Sequence, residues 1–236
     1  MKAICVLSGG LDSTVAMAIA KLKGYEICPI TFNYGQRAVN REIASSKKLA
    51  EIFGVLDNHK VINLDFIKQF SNSALTNENN NIPTIENNQL DNLEVATKTM
   101  EKVWVPARNL TMFSIASGYG EYINGQVIFT GLNYEEGATF PDNTKEFLNR
   151  FNSVLEYGTL NKIKMEAPLY NNTKKEIVKI GKELEDKLGF KFLKYSYSCY
   201  YDNGEDFIHC GVCESCMRRK RAFKESGIID NTIYLK

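Results

Sequence analysis

The apolar run Ala3-Ile4-Cys5-Val6-Leu7 passes directly into Ser8-Gly9-Gly10-Leu11-Asp12-Ser13, and then into a helix-like stretch from Thr14 to Lys21. A strand, a glycine turn and a helix start in immediate succession are compatible with few folds. The glycines let the backbone bend so that successive N–H groups point into one concavity. The new helix adds its positive end and its unpaired N–H groups, and Ser8 and Ser13 add hydroxyls. Such a concavity suits phosphate. Asp12 is out of keeping there, because a carboxylate repels phosphate, unless it holds a cation or shapes the loop. No Gly-Lys-Ser/Thr follows and a third glycine is missing, so neither the Walker loop nor the dinucleotide fingerprint fits. A tight turn without a ligand is the plain alternative.

The rest of the chain alternates in the same way. Strands are predicted over 3–7, 26–33, 59–64 and 126–131, and helices over 13–23, 41–53, 108–122, 145–155 and 174–188. This alternation predicts an α/β fold, a Rossmann-like parallel sheet with helices on both faces. Ligands of such sheets sit at the carboxyl ends of the strands. The glycine loop, residues 33–37 and residues 130–133 fall there. The expected organisation is a nucleotide-binding domain over 1–170, interrupted by an Asn-rich loop at about 71–104, and a C-terminal helical, cysteine-bearing region over 171–236. Within that loop, seven of the sixteen residues 77–92 are asparagine and no periodicity shows, which predicts a surface loop or a flap.

Cys210, Cys213 and Cys216 are spaced three residues apart, and Cys199 lies upstream. Four thiolates satisfy a tetrahedral zinc ion in a closed, structural site that staples two segments. Gly211 supplies the freedom the tight turn needs. An iron–sulfur cluster is the rival reading, and two disulfides are a third, disfavoured by the tight pairs and the lack of a leader. His209 is expected to neighbour the site, not to ligate it. Cys5 and Cys28, in apolar runs, are expected to be buried thiols.

A net charge of +1 removes the usual argument for a nucleic-acid binder. The one strongly basic run, residues 217–221, is expected to be a solvated helix face, with a patch for an anionic ligand or RNA as the sharper alternative. No apolar run reaches membrane-span length and the start leads straight into a strand, so no membrane association and a cytoplasmic location are expected.

The Ser-Gly-Gly-x-Asp-Ser loop resembles the PP-loop of the ATP pyrophosphatases, which cleave ATP between the α- and β-phosphates. Further segments narrow the resemblance: Tyr34-Gly35-Gln36-Arg37 with Glu42, Val105-Pro106-Ala107-Arg108-Asn109, Pro141-Asp142 with Glu146-Phe147, Pro168-Leu169 with Lys174-Lys175-Glu176-Ile177, and the cysteine block with Arg219 and Phe223. Together they are similar to the 7-cyano-7-deazaguanine synthase family, whose product is a precursor of queuosine and archaeosine in tRNA. The match runs nearly the full length. It departs at Ala107, where the family commonly has glycine, at Glu136, where it often has aspartate, and at Asn143-Thr144, where it has Cys-Arg.

The resemblance implies a ligase that uses ATP and magnesium to convert 7-carboxy-7-deazaguanine and ammonia to the nitrile through adenylated intermediates. It implies structural zinc on the four cysteines and a homodimer. It places ATP against Leu7, Ser8, Gly9, Gly10, Leu11, Asp12, Ser13, Thr14, Val15, Ala16 and Met17, with Thr31 and Asn33 on the adenosine side. Asp12, Ser13 and Arg108 would act in catalysis, Arg108 by meeting an anionic oxygen. Gln36, Arg37, Asn109, Asn133, Glu136 and Asp142 would hold the deazaguanine. Two other readings stay open: another PP-loop ATPase that thiolates or otherwise modifies tRNA, and a non-catalytic nucleotide- or zinc-binding module.

Overall fold

A computed structural model of the chain describes residues 1–85, 89–90 and 92–236. Strand β1 (Lys2–Val6) is buried at its centre because both faces of the sheet are covered, so it reads as an apolar run and not as an alternation. It pairs in parallel with β2 (Glu26–Asn33) on one side and with β4 (Val127–Phe129) on the other. β3 (Lys60–Asn63) and β5 (Lys164–Glu166) complete the sheet, in the order β3-β2-β1-β4-β5. The chain winds outward from β1 through β2 to β3, then returns to the other side of β1. The crevice between β1 and β4 is therefore the point where strand order reverses, the place where such sheets take ligands.

Helices cover both faces. Helix α1 (Leu11–Leu22), rich in alanine and almost wholly buried, lies between the sheet and α7 (Lys174–Leu188). Gly181 makes the close approach possible: a Cβ there would stand 2.7 Å from Leu193 and 3.0 Å from Val15. α2 (Val39–Ile52) and α8 (Glu214–Ser226) add Leu49, Ala222 and Phe223 to the same core. On the opposite face α4 (Arg108–Tyr122) and α6 (Lys145–Gly158) bury Met112, Phe113, Phe151 and Leu155 against Ile4, Ile30 and Ile128. The first core is continuous across residue 170, for Ile177, Leu184 and Phe223 pack with Ala3, Val15 and Phe129.

Local signals set several boundaries. α7 opens with a capping box, Thr173 and Glu176, and ends at Gly189 in the left-handed conformation. α6 is capped by the Thr144 side chain. The stretch expected to be a loop at 71–104 contains α3 (Leu93–Val103), capped by Asn92 and burying Ala96, Thr99 and Val103. Asparagine there is a helix-starting residue, which composition alone disguised. Residues 86–88 and 91 of the Asn-rich stretch lie outside the described residues. Among the described residues no helix is long and apolar enough to cross a membrane.

Candidate active site and metal centre

The glycine loop sits where the topology requires, between β1 and the start of α1. Gly9 alone carries the left-handed backbone, at φ +81°, and a Cβ there would meet the Glu42 carbonyl oxygen at 2.8 Å. Gly10 is extended and caps α1. The Ser8 and Ser13 hydroxyls lie 3.0 Å apart, and the Gly10 N–H donates to Ser8 Oγ at 3.2 Å. The loop after β4 presses on this turn from the side. A Cβ on Gly131 would stand 2.6 Å from the Ser13 nitrogen. Residues 130–133 were expected at this edge, and Gly131 is the member that makes the contact.

A cavity of about 290 Å³ opens at this crevice. Leu7, Ser8, Gly10, Leu11, Asp12 and Ser13 form one wall. Arg108, Asn109, Met112, Phe113 and Phe140 form another, and Tyr197, Ser198, Tyr200 and Arg218 a third. The polar loop beside an apolar slot suits a ligand with a phosphate end and a flat, apolar end.

Asp12 has a partner that sequence reading missed. The Lys174 ammonium, at the first residue of α7, contacts Asp12 Oδ2 and donates to Glu136 Oε1 at 2.8 Å. The Lys174 backbone N–H donates to Glu135 Oε1 at 2.7 Å. Burial works against the Lys174 charge, but the two carboxylates outweigh it and hold its pKa above the ordinary value. Burial also pushes Asp12 up, and there it prevails over Lys174. Burial pushes Glu136 the same way, yet Lys174 and Asn133 hold that carboxyl below the usual range. The other oxygen of Asp12, Oδ1, is buried with no hydrogen-bond partner among the described residues. Lys174 stands 162 residues from Asp12 in sequence, so only the packing of α7 on α1 could reveal it.

Arg108 begins α4 and faces the cavity, donating to Tyr34 Oη at 3.3 Å and to Asn109 Oδ1 at 3.2 Å. Ala107, before it, is left-handed at φ 50°. That conformation favours glycine, so the departure at this position is a matter of backbone strain.

Several expected ligand contacts are engaged elsewhere. Thr31 donates to the Leu7 carbonyl at 2.6 Å and lies outside the cavity wall, as do Asn33, Gly9, Thr14, Val15, Ala16 and Met17. Asn33 donates to Asn63 Oδ1 at 3.0 Å across the sheet. Arg37 lines the cavity but gives its guanidinium to the carbonyls of Asn77 at 3.1 Å, Glu78 and Asn80 at 2.9 Å, where it ties down the Asn-rich segment. Asn133 caps the short α5 (Tyr134–Gly137), and Asp142 accepts from Asn143 Nδ2 at 3.0 Å; both are buried behind the wall. Asn109 and Glu136 do reach the cavity.

The sulfurs of Cys199, Cys210, Cys213 and Cys216 lie within 4.8 Å of one another, and those of Cys210 and Cys216 are 3.9 Å apart. Zinc–sulfur bonds of about 2.3 Å in a tetrahedron place sulfurs about 3.8 Å apart, so the cluster fits one such ion. A four-iron, four-sulfide cluster, in which each thiolate holds a different iron, sets its thiolates farther apart. Backbone N–H groups of Cys213 and Val212 point at Cys210 Sγ, at 3.3 and 3.4 Å, and that of Cys210 at Cys199 Sγ, at 3.4 Å. Such donors stabilise thiolate charge. Gly211, at φ +81°, makes the turn. His209 is a neighbour, as expected: it pairs through β6 (Ile208–His209) with β7 (Ile233–Tyr234), and its Nε2 accepts the Ser198 N–H at 2.9 Å. Cys5 and Cys28 are buried.

The basic run corrects the expectation of a solvated face. Arg219 is 2% exposed and donates to Ser196 Oγ at 2.8 Å and to the Leu193 carbonyl at 3.1 Å. Arg218 grips Glu214 at 2.8 Å and lies 3.7 Å from Glu135. The run latches the cysteine helix α8 to the cavity rim.

The family model for Queuosine biosynthesis protein QueC matches residues 2–227. The chain belongs to the QueC family. Two relatives, both named 7-cyano-7-deazaguanine synthase, cover the family member end to end. The protein of Methanococcus aeolicus is 68% identical over 235 residues, with 100% of each chain covered. That of Methanocaldococcus jannaschii is 63% identical over 236 residues, again with 100% of both. Among solved structures, a 4-thiouridine synthetase in complex with RNA and ATP superposes with a TM-score of 0.51 at 20% identity, over 85% of this QueC-family chain and 43% of that one. That likeness is one of fold alone.

Proposed function

We propose that the chain is a 7-cyano-7-deazaguanine synthase, an ATP-dependent carbon–nitrogen ligase. One observation carries the reading: the QueC match over residues 2–227 takes in the glycine loop and the Arg108 wall, which line one cavity, and the cysteine centre, whose neighbours Ser198, Tyr200 and Glu214 reach that cavity. A carboxylate resists ammonia because its charge repels nucleophiles and its leaving group would be oxide. Attachment of AMP supplies a leaving group. In this reading 7-carboxy-7-deazaguanine is adenylated, ammonia displaces AMP to give the amide, and a second ATP activates the amide oxygen so that elimination yields the nitrile.

The protein's part is positioning and charge stabilisation. Ser8, Gly10, Ser13 and the N–H groups at the start of α1 hold the departing pyrophosphate. Lys174, kept charged by its two carboxylates, lies beside it. The unpartnered Asp12 Oδ1 fits a magnesium ligand, and magnesium would neutralise phosphate charge there. Arg108 meets the anionic oxygen of the carboxylate or of AMP, and Asn109 and Glu136 contact the substrate. Zinc on the four cysteines is structural, for all four positions are filled by protein. A homodimer in the cytoplasm, acting on small molecules and not on nucleic acid, completes the reading. The net charge of +1 supports that substrate class over tRNA. Mass spectrometry of a reaction with ATP, ammonium and 7-carboxy-7-deazaguanine tests it: the nitrile is expected, and its absence with all three present would reject the activity.

A further inference from the structure

Five carboxylates line the cavity among the described residues: Asp12, Glu42, Glu135, Glu136 and Glu214. Four of them lie within 4.0 Å of a cation: Asp12 and Glu136 of Lys174, Glu135 and Glu214 of Arg218. Glu42 has no such partner among the described residues. Its Oε2 accepts one hydrogen bond, from Gln36 Nε2 at 2.7 Å. Gln36 is 3% exposed and is itself anchored to the backbone. Its Oε1 accepts the Tyr34 N–H at 2.9 Å, and its Nε2 also donates to the Phe32 carbonyl at 3.1 Å. Glu42 also belongs to the first turn of α2, whose backbone meets Gly9 of the phosphate loop, and it shares the cavity lining with Arg108 and Tyr34.

Resting on the synthase reading, we propose that Glu42 is the ammonium site and the general base of the amination step, with Gln36 its positioning residue. Ammonia is chiefly ammonium at neutral pH, a cation without a lone pair to offer. An anionic acceptor in the cavity both binds it and makes it a nucleophile. The proton balance is simple. Ammonium gives one proton to Glu42, and the freed nitrogen lone pair bonds to the acyl carbon. The bond from that carbon to the AMP oxygen breaks, and AMP leaves with the electron pair. The acyl-ammonium so formed, a strong acid, loses its second proton to water, and Glu42 returns its own proton to solvent. Burial raises the Glu42 carboxyl pKa, Gln36 and Arg108 opposing, which brings it nearer the task of taking a proton from nitrogen.

The test compares two nucleophiles. Ammonium must lose a proton before attack, whereas hydroxylamine is already neutral near pH 7. In Glu42→Gln the rate of amide formation at subsaturating ammonium should fall about a hundredfold or more, the usual scale of general-base catalysis. Hydroxamate formation from the same adenylate should fall far less, and ammonium activity should recover as pH rises and free ammonia becomes abundant. Equal losses with both nucleophiles, or an unchanged ammonium dependence, would overturn the proposal. If Glu42→Gln melts well below wild type, the same nucleophile ratio in Glu42→Asp decides. Glu42→Asp keeps the charge but withdraws it by one methylene. Wild-type protein that makes no hydroxamate from ATP and 7-carboxy-7-deazaguanine would instead reject the synthase reading on which the proposal rests.

Discussion

Replacing Gly131 by alanine tests whether the β4 loop and the phosphate loop form one rigid unit. The added methyl would stand 2.6 Å from the Ser13 nitrogen and 2.9 Å from the Asp12 carbonyl carbon, both backbone atoms at the start of α1. Ordinary contact begins at 3.4 Å, so the two segments must part by about 0.8 Å. Neither can yield cheaply, because β4 is fixed by pairing on both edges and α1 is packed against α7. A displacement of this size at a positioning site costs on the order of a hundredfold in rate. Overpacking should cost about 1–3 kcal/mol of stability. At about 2–4 °C per kcal/mol for a chain of this size, the melting temperature should drop by several degrees while the fold survives. Steady-state pyrophosphate release, with melting followed by circular dichroism, measures both. Wild-type kcat/KM in a folded Gly131→Ala protein would refute the argument, for it would mean that the loops separate freely in the working state.

Other outcomes follow from separate parts of the structure. Ala107→Gly should raise stability by about 0.5–1 kcal/mol, the relief of left-handed strain less the added chain entropy, and leave kcat/KM unchanged; urea unfolding reads the first and kinetics the second. Cys199→Ala should lower the zinc content measured by elemental analysis and sharply reduce soluble yield, because three thiolates no longer close the site. Iron with labile sulfide in fresh wild-type protein would contradict the spacing argument. His59, held down to about 4 by burial and Lys47, is neutral in the fold but ordinary when unfolded. Its contribution is present above about pH 6.5 and lost as pH falls toward about 4. His59→Gln should therefore flatten the pH dependence of stability in that window, seen as a smaller drop in melting temperature between neutral and acid buffer.

Much of the architecture could be read directly. β2, α4 and α7 have the predicted bounds, since turns and caps punctuate them sharply. β5 is three residues long and too short to carry a pattern. α3 hid inside an asparagine-rich stretch whose last asparagine is its cap. In the site, the glycine loop and the cysteines were legible because their ligand groups are close in sequence. Lys174 was not, because its role exists only through contacts with Asp12 and Glu136 far along the chain. Thr31, Arg37 and Asn133, which the resemblance places at the ligand, hydrogen-bond backbone groups in the fold, while Asn133 Nδ2 is buried without a partner among the described residues. A short polar side chain cannot announce which partner it will find. Arg219 misled in the opposite sense: charge suggested solvent, but a ring of hydroxyls and a carbonyl satisfies it indoors.

If the substrate carboxylate is activated by AMP, its oxygens must leave on AMP. Heavy-oxygen-labelled 7-carboxy-7-deazaguanine, incubated with ATP and ammonium, tests this by mass spectrometry of the nucleotide products. AMP and pyrophosphate are expected, with one labelled oxygen in the AMP of each activation and none left in the nitrile. Formation of ADP and phosphate, or AMP free of label, would contradict it.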